Sequence, residues 1–282
     1  MLQKNCEYVA RWYNATMQSS SLTSFPTDVI NQNGQQAFDL VAYLSGKKPP
    51  GQASKVALAA SGQNAKDYIK VLVQQYEDLI NYLKVNGAHL NTVRPEYLLN
   101  LSDYNKFLKM NPKEENMKPK TLERVWPYLQ RDSWLTVFYQ VLKIYYLNRV
   151  TPKSFKNLPG MPGSETGIEP NMTKSNVYSV PETVLLKWMT YHCQKVDPMH
   201  PKVVTNFEAD LQDGLVFSAL IKSHYGNAQA LQDIKNNVHS EEQFTHNAKR
   251  VIEAVHEIGL QTHLAPGDIT SPSARELLLF CV

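Results

Sequence analysis

The stretch Asn206–Tyr225, which reads NFEADLQDGLVFSALIKSHY, constrains the fold more than any other part of the chain. Thr205 and Glu208, three residues apart, have the form of a capping box, in which each side chain satisfies a free amide at a helix start. Asp210 and Asp213 place negative charge where the dipole of a new helix favours it. The sequence therefore predicts a helix that begins near Thr205.

The same stretch predicts that this helix is central and buried. Large side chains recur on one helical face, at Phe217, Leu220, Ile221 and His224. Gly214 inside a helix costs about 1 kcal/mol relative to Ala. We therefore expect a second helix to cross Gly214 too closely to leave room for a Cβ.

Helical periodicity continues through most of the chain, and no segment alternates apolar and polar residues with the period of a strand. Apolar faces at helical spacing occur at Tyr8–Tyr13, Ala37–Leu44, Tyr68–Leu83, Asp132–Leu147, Val184–Met189 and Phe244–Ile258. Two further capping boxes, Ser179 with Glu182 and Ser240 with Gln243, mark helix starts. The predicted fold class is all-α.

Two segments interrupt this pattern. Prolines and glycines alternate through residues 151–175, which predicts a linker between domains at 1–150 and 176–282. Ser102–Arg124 is polar and rich in lysine, which favours an insertion or a mobile loop. Because the sequence ends at Val282 inside an apolar helical pattern, we expect the last helix to be truncated and the chain to be a piece of a longer protein.

Composition narrows the function only slightly. The net charge of +3 over 282 residues does not by itself imply a nucleic-acid partner. The first residues lack the apolar core of a signal peptide, and no apolar run approaches the ~18 residues of a membrane span. The cysteines, Cys6, Cys193 and Cys281, are odd in number and far apart, which favours a reducing compartment over a disulfide framework. We expect a protein of the cytoplasm and cytoskeleton that contacts no membrane.

Residues 176–282 resemble the calponin-homology (CH) domain family. The resemblance consists of an ordered set of motifs: Trp188, Asp210–Gly214, Phe217, Leu220–Ile221, Asn247, Ile258–Leu260, Pro266, Asp268–Ile269 and Leu278–Phe280. It implies a CH helical bundle in the C-terminal half. It also implies an interaction module of actin filaments, microtubules or axonemal scaffolds, with no catalysis.

The N-terminal half repeats that order faintly, which suggests a divergent CH-like helical domain. Asp28 and Gly34 correspond to the acid and glycine of the central motif, and Gly87 corresponds to Gly259. The complete DLxDG core is missing, however, and the segment 102–124 is foreign to the pattern. The alternative is an unrelated helical flank.

No catalytic, cofactor or metal site is expected. The sequence contains no nucleophile elbow, P-loop or dinucleotide-binding glycine string. His192, Cys193 and His200 match no zinc spacing. Asp210 and Asp213 are explained by a helix start, and Trp134 and Trp188 by apolar helical faces.

A basic segment is the predicted partner-binding site. It comprises Lys143, Arg149, Lys153 and Lys156, with no acidic residue between the first and the last. Most charge runs are simply solvated faces. If this one is functional, it offers an electrostatic contact to an acidic polymer such as a microtubule.

These observations lead to a functional expectation. The CH resemblance, the divergent first half and the basic segment together suggest a segment of a large protein associated with cilia or flagella. We expect a non-catalytic scaffold module of the axoneme that binds microtubules or microtubule-associated proteins. The alternative is a tandem CH module that binds actin.

Overall fold

The computed structural model describes residues 2–52, 64–112, 118–151, 155 and 177–282. Within these ranges the regular elements are helices and no strand occurs, as the periodicities predict. The chain divides into two compact units, Met1–Tyr145 (unit 1) and Tyr146–Val282 (unit 2). None of the helices in the described part of the chain is long and apolar enough to cross a membrane.

Unit 1 is built around a cluster of buried aromatic side chains. Its helices are α1 (Leu2–Met17), α2 (Thr27–Asn31), α3 (Gln35–Ser45), α4 (Ala65–Val85), α5 (Leu101–Met110) and α6 (Pro119–Leu147), with a 3-10 turn at Pro95–Leu98. Trp134 on α6 is fully buried, and its ring lies edge-on to Tyr76 on α4 at 5.5 Å between centroids. The Trp134 indole N–H donates a hydrogen bond to the carbonyl of Leu98 at 3.1 Å. The prediction that Trp134 belongs to the core is confirmed.

The prediction of an insertion or mobile loop at 102–124 is wrong for the residues the structure describes there. Most of them are helical, in α5 and in the start of α6. The side chain of Asn100 caps α5 by accepting a hydrogen bond from the Asp103 N–H at 2.9 Å. The ring of Tyr104 stacks on Trp126 of α6 at 3.9 Å, which ties the two helices together. The lysines and prolines of this segment favoured a loop. The contact between Tyr104 and Trp126 gave no local signal, because the two residues are far apart in the sequence.

Unit 2 packs around one short, very apolar helix. Its elements are α7 (Val180–Val196), α8 (Leu215–His224), a 3-10 turn (Gln229–Asp233), α9 (Glu241–Glu257), α10 (Pro266–Thr270) and α11 (Ala274–Phe280). Val216 and Phe217 of α8 are buried in a core shared with α7, α9 and α11. The capping boxes predicted at Ser179 and Ser240 are confirmed. Trp188 is partly buried and packs against this core.

The predicted start of the central helix is wrong. Turns occupy residues 207–213, and α8 begins at Leu215 with Gly214 as its N-cap at φ +73°. That left-handed conformation cannot continue a helix, and it favours glycine because a Cβ would be strained there. The predicted close crossing is confirmed: a Cβ on Gly214 would lie 3.2 Å from the Cβ of Asn247 on α9.

Each unit has an aspartate that holds the backbone ahead of a helix, Asp28 ahead of α3 and Asp210 ahead of α8. In unit 2 the Asp210 carboxylate accepts hydrogen bonds from the Thr205 N–H at 2.7 Å and from the Asn206 N–H. In unit 1 the Asp28 carboxylate accepts hydrogen bonds from the Thr23 N–H at 2.9 Å and from the next N–H in the chain. In both cases the aspartate follows its threonine by five residues and precedes a left-handed glycine that caps the helix.

In each unit a side-chain amide also holds the residue before the left-handed glycine, from α4 in unit 1 and from α9 in unit 2. Asn247 Nδ2 donates to the carbonyl of Asp213, next to Gly214, at 3.0 Å. Gln75 Nε2 donates to the carbonyl of Asn33, next to Gly34, at 2.9 Å. Each amide lies twelve residues before the left-handed glycine that follows its own helix, Gly259 for Asn247 and Gly87 for Gln75. The same side-chain chemistry therefore occurs at equivalent places in both units.

Candidate functional site

In the acidic motif of unit 2, the Asp210 side chain stabilises the loop that contains it. Besides the two backbone amides, Asp210 Oδ2 accepts hydrogen bonds from the Thr205 hydroxyl at 2.8 Å and the Asn206 amide at 2.9 Å. Partial burial raises the pKa of Asp210, but these hydrogen bonds outweigh it and hold the pKa below its usual value. Asp210 is thus an ionised structural anchor, and we infer no acid or base role for it.

Asn247 completes the anchor from the neighbouring helix. The side chain is fully buried, and its amide also donates to the Lys235 carbonyl at 2.9 Å and accepts from the Lys235 N–H at 2.9 Å. A buried amide satisfied in this way fixes the loop before α9 against the start of α8. The motif that best identifies unit 2 is therefore architectural, and a binding surface must lie elsewhere.

The histidines near the end of α7 are also committed to packing. His192 is buried, its Nδ1 lies 2.7 Å from the Ser223 hydroxyl, and its ring lies 4.5 Å from that of His224. Burial, together with the nearby charges of His224 and Lys195, lowers the pKa of His192 to about 4. Burial raises the pKa of Cys193 to about 11. Among the residues that the structure describes, no group of three His, Cys, Asp or Glu side chains could hold a metal ion.

The predicted basic site is only partly described. Lys143 is partly buried on α6 in unit 1, whereas Arg149 is exposed in unit 2, with its guanidinium 5.5 Å from the centre of the Tyr146 ring. Lys153 and Lys156 lie outside the described residues, as does the predicted linker except for Thr151 and Phe155. A single basic surface formed by these four residues therefore stays a prediction.

A second set of cations lies where α5 ends and α6 begins. We call this set the α5–α6 basic surface; it consists of Lys109, Lys118, Lys120 and Arg124, all exposed. Within the described part of the chain, none of the four has an ion pair or a hydrogen bond from its side chain. Tyr128, one helical turn after Arg124, is 60% exposed. The surface thus offers free positive charge and an aromatic ring to a partner.

Sequence reasoning noted these lysines but assigned them to a loop. The helical signal was present, because Lys120, Arg124 and Tyr128 recur at a spacing of four and so share one face of a helix. Pro119 and Pro127 argued against a helix. Pro119 is the first residue of α6, where its missing N–H costs nothing, and Pro127 lies inside the helix.

Comparison with known families agrees with this architecture. A family model described as the calponin homology (CH) domain matches residues 179–282, so unit 2 contains a CH domain. A second family model, described as the cilia- and flagella-associated protein 47 domain, matches residues 1–150, which is more than half of the chain. The chain therefore belongs to the cilia- and flagella-associated protein 47 family. Neither matched family is a family of enzymes.

Individual relatives show the same two similarities. The chain is 28% identical to cilia- and flagella-associated protein 47 of Homo sapiens over 94% of its length, and 28% identical to that of Mus musculus over 87%. It spans only 9% and 8% of those two relatives. It is also 36% identical over 100 residues to Fimbrin-5 of Arabidopsis thaliana, a match that covers 36% of this chain and 14% of that protein.

Proposed function

We propose that this chain is a non-catalytic interaction module of the ciliary or flagellar axoneme that binds microtubules or microtubule-associated proteins. Membership of the cilia- and flagella-associated protein 47 family supports the location. The CH domain supports a cytoskeletal role.

The observation that carries the filament contact is the α5–α6 basic surface. Four exposed cations and one exposed acid, Glu123, are described in this surface, so its net charge there is positive. Exposed charges attract an acidic polymer over about 8 to 10 Å at physiological ionic strength. Such a contact speeds association and weakens as salt rises. The exposed ring of Tyr128 adds apolar area beside the charges.

Cosedimentation with microtubules tests the proposal. We expect the full chain to pellet with microtubules at low salt and to be released progressively as salt increases. Replacing Lys109, Lys118, Lys120 and Arg124 by Glu should abolish pelleting at every salt concentration, because the surface would then repel an acidic polymer.

A second charge-reversed variant distinguishes the two basic regions. Glu replaces Lys143, Arg149, Lys153 and Lys156 in this variant, which tests the site predicted from the sequence. Loss of pelleting in this variant alone would move the contact to that segment. If the unmodified chain fails to pellet at low salt, direct microtubule binding is excluded, and a microtubule-associated protein becomes the partner to seek.

Binding of actin by a CH tandem is the second candidate. The contacts shared by the two units, at Asp28 and Asp210 and at Gln75 and Asn247, favour two copies of one fold. The chain is also 29% identical over 146 residues to Fimbrin-4 of Arabidopsis thaliana, a second fimbrin beside Fimbrin-5. Saturable pelleting with filamentous actin, in the absence of microtubule pelleting, would establish this alternative in place of the first.

A further inference from the structure

Unit 2 contains a cavity of about 450 Å³ on the side of α8 that faces the end of α7. Its lining includes Cys193 and Val196 from α7, Lys202 from the connection that follows, and Ser218 and Lys222 from α8. Asn236 and Asn237, which precede α9, border it as well. None of these residues takes part in the anchor formed by Asp210 and Asn247.

The hydroxyl of Ser218 is the first sign that the cavity binds something. Ser218 is only 3% exposed, yet within the described residues its side chain has no hydrogen-bond partner. Its backbone N–H donates to the carbonyl of Gly214 at 3.0 Å, so only the side chain lacks a partner. Since Ser218 lines the cavity, its hydroxyl is available for a hydrogen bond with a ligand that enters there.

A positive charge stands one helical turn further along. Lys222 follows Ser218 by four residues, so both side chains lie on the same face of α8. Lys222 is partly buried and has no ion pair or hydrogen bond from its ammonium group in the described part of the chain. Burial lowers its pKa, because removing an ammonium group from water disfavours the charged form.

Two other charged side chains line the cavity. Lys202 forms an ion pair with the Asp213 carboxylate, whose other oxygen accepts a hydrogen bond from the Leu215 N–H at 3.0 Å. Asp197 is a carboxylate whose side chain is 56% exposed to solvent, and it accepts a hydrogen bond from the His200 N–H at 3.0 Å. Lys222 is therefore the lining cation that has no ion pair within the described residues, and a carboxylate that enters the cavity would complement its ammonium group.

Two exposed apolar side chains lie at or next to the cavity. Val196 lines it and is 39% exposed, and Met199, the neighbour in sequence of the lining residue His200, is 82% exposed. Exposed apolar side chains beside a polar pocket are typical of a protein-binding surface, where an apolar contact gives affinity and a buried polar contact gives specificity. A free inorganic anion would leave Val196 and Met199 uncovered.

We propose that this cavity binds an acidic segment of a partner protein. A Glu or Asp carboxylate of that segment accepts hydrogen bonds from Ser218 and Lys222, while an apolar neighbour packs on Val196 and Met199. This inference rests on the proposed function, because it takes a protein as the partner. It assigns a recognition site separate from the α5–α6 basic surface.

Peptide binding to the full chain tests the assignment. The probes are fluorescein-labelled 12-residue peptides in which one Glu lies one to four residues from one Leu, with the same peptides carrying Gln as counterparts. Fluorescence anisotropy should show saturable binding of at least one Glu peptide and at least tenfold weaker binding of its Gln counterpart. Tenfold corresponds to the loss of one charge-assisted hydrogen bond.

Three variants locate the binding. Lys222→Met and Ser218→Ala should each weaken the Glu peptide, the former about tenfold. Lys187→Met is the matched control, because Lys187 is also partly buried, has a pKa lowered by burial and no described partner, but lies on α7 outside the cavity lining. It should leave the affinity unchanged. Circular dichroism of each variant verifies that the helices are intact, and Lys222→Gln replaces Lys222→Met if that variant unfolds.

Several results would overturn the assignment. These are no binding by any Glu peptide at millimolar concentration, equal binding of Glu and Gln peptides, or an unchanged affinity in Lys222→Met. Inorganic phosphate that displaces the peptide and binds as tightly would show a site for small anions instead. Failure of the unmodified chain to pellet with microtubules, together with saturable Glu-peptide binding, would refute direct microtubule binding and leave this inference standing. Pelleting of the unmodified chain without peptide binding would do the reverse.

Discussion

Single residues in this chain act mainly by fixing backbone conformation. Gly214 adopts φ +73°, and a Cβ there would lie only 3.2 Å from the Cβ of Asn247, so the backbone conformation and the close packing both favour glycine. Asp210 holds the preceding loop with hydrogen bonds from Thr205 and Asn206. The motif that identifies the domain thus consists of residues whose role is conformational.

Replacing Gly214 by Ala tests the first of these roles. The added Cβ must be accommodated in a left-handed conformation and against the α9 backbone, so we expect unfolding free energy to fall by about 1 to 3 kcal/mol. Urea denaturation followed by circular dichroism measures this. Gly267→Ala is the control: Gly267 lies in α10 with no neighbour near its missing Cβ, and this variant should change stability by less than about 1 kcal/mol. Equal effects of the two substitutions would contradict the argument.

Asp210→Asn should make stability depend on pH in a defined way. Because the pKa of Asp210 is lowered in the folded state, its contribution is present above the unfolded pKa of about 3.9 and is lost as pH falls through the folded value. We expect the variant to lose about 1 to 3 kcal/mol at pH 7 and the difference from the parent to narrow in strongly acidic solution. Urea denaturation across this pH range provides the measurement. A constant difference at all pH values would show that the charge is not the source.

At the scale of elements, caps and aromatic contacts decide where helices begin and what they pack against. The Ser240 hydroxyl accepts a hydrogen bond from the Gln243 N–H at 3.3 Å, and the side-chain carbonyl of Gln243 accepts one from the Ser240 N–H at 3.2 Å. These two bonds fix the first turn of α9. Ser273 occupies the same N-cap position on α11 but makes no side-chain cap hydrogen bond. The two serines therefore form a natural comparison.

Ser240→Ala should destabilise unit 2 by about 1 kcal/mol, the usual cost of losing a capping side chain. Ser273→Ala should cost clearly less, because no cap hydrogen bond is lost. Thermal and urea unfolding of both variants give the comparison. A larger loss in Ser273→Ala would mean that N-cap identity, rather than the hydrogen bond, sets the effect.

The α5 helix depends on the stack between Tyr104 and Trp126. Tyr104 is 5% exposed, so Tyr104→Ala should cost about 3 to 5 kcal/mol, as for other buried aromatic residues. Hydrogen exchange should then accelerate first in α5. Tyr128→Ala, on the exposed side of α6, serves as the control and should change stability by no more than about 0.5 kcal/mol. Unaltered exchange in α5 of the Tyr104 variant would contradict this role.

At the scale of the whole molecule, the unit boundary does not coincide with the Pro/Gly-rich segment of the sequence. Leu147 and Val150 belong to the buried core of unit 2, although they precede residue 151, where the linker was predicted to begin. They are 4% and 6% exposed. The CH-domain core therefore recruits side chains that lie outside the matched range 179–282.

This placement predicts different stabilities for two pieces of the chain. A piece covering 146–282 should be more stable than one covering 177–282, by about 1.5 to 3 kcal/mol for each fully buried side chain retained. Urea denaturation of both pieces measures the difference. Changing Leu147 and Val150 together to Ser in the longer piece should remove it; if the longer piece keeps its advantage, residues other than these two provide it.

The sequence by itself determined the fold class, the CH domain and most helix starts, because periodicity, capping boxes and the Asp210–Gly214 motif are local signals. It also matched Asp28, Gly34 and Gly87 of unit 1 with Asp210, Gly214 and Gly259 of unit 2. In the structure the two aspartates make equivalent hydrogen bonds, and the four glycines are left-handed.

Only the tertiary structure decided features that depend on residues distant in the chain. Trp126 has to reach Tyr104 before the lysine-rich segment becomes α5, and Asn247 has to cross Gly214 before the start of α8 is fixed. The cavity at Ser218 and Lys222 is formed where the end of α7 and the connection after it lie beside α8. The sequence alone does not show which polar groups lack partners after folding. Both proposed binding surfaces include such groups.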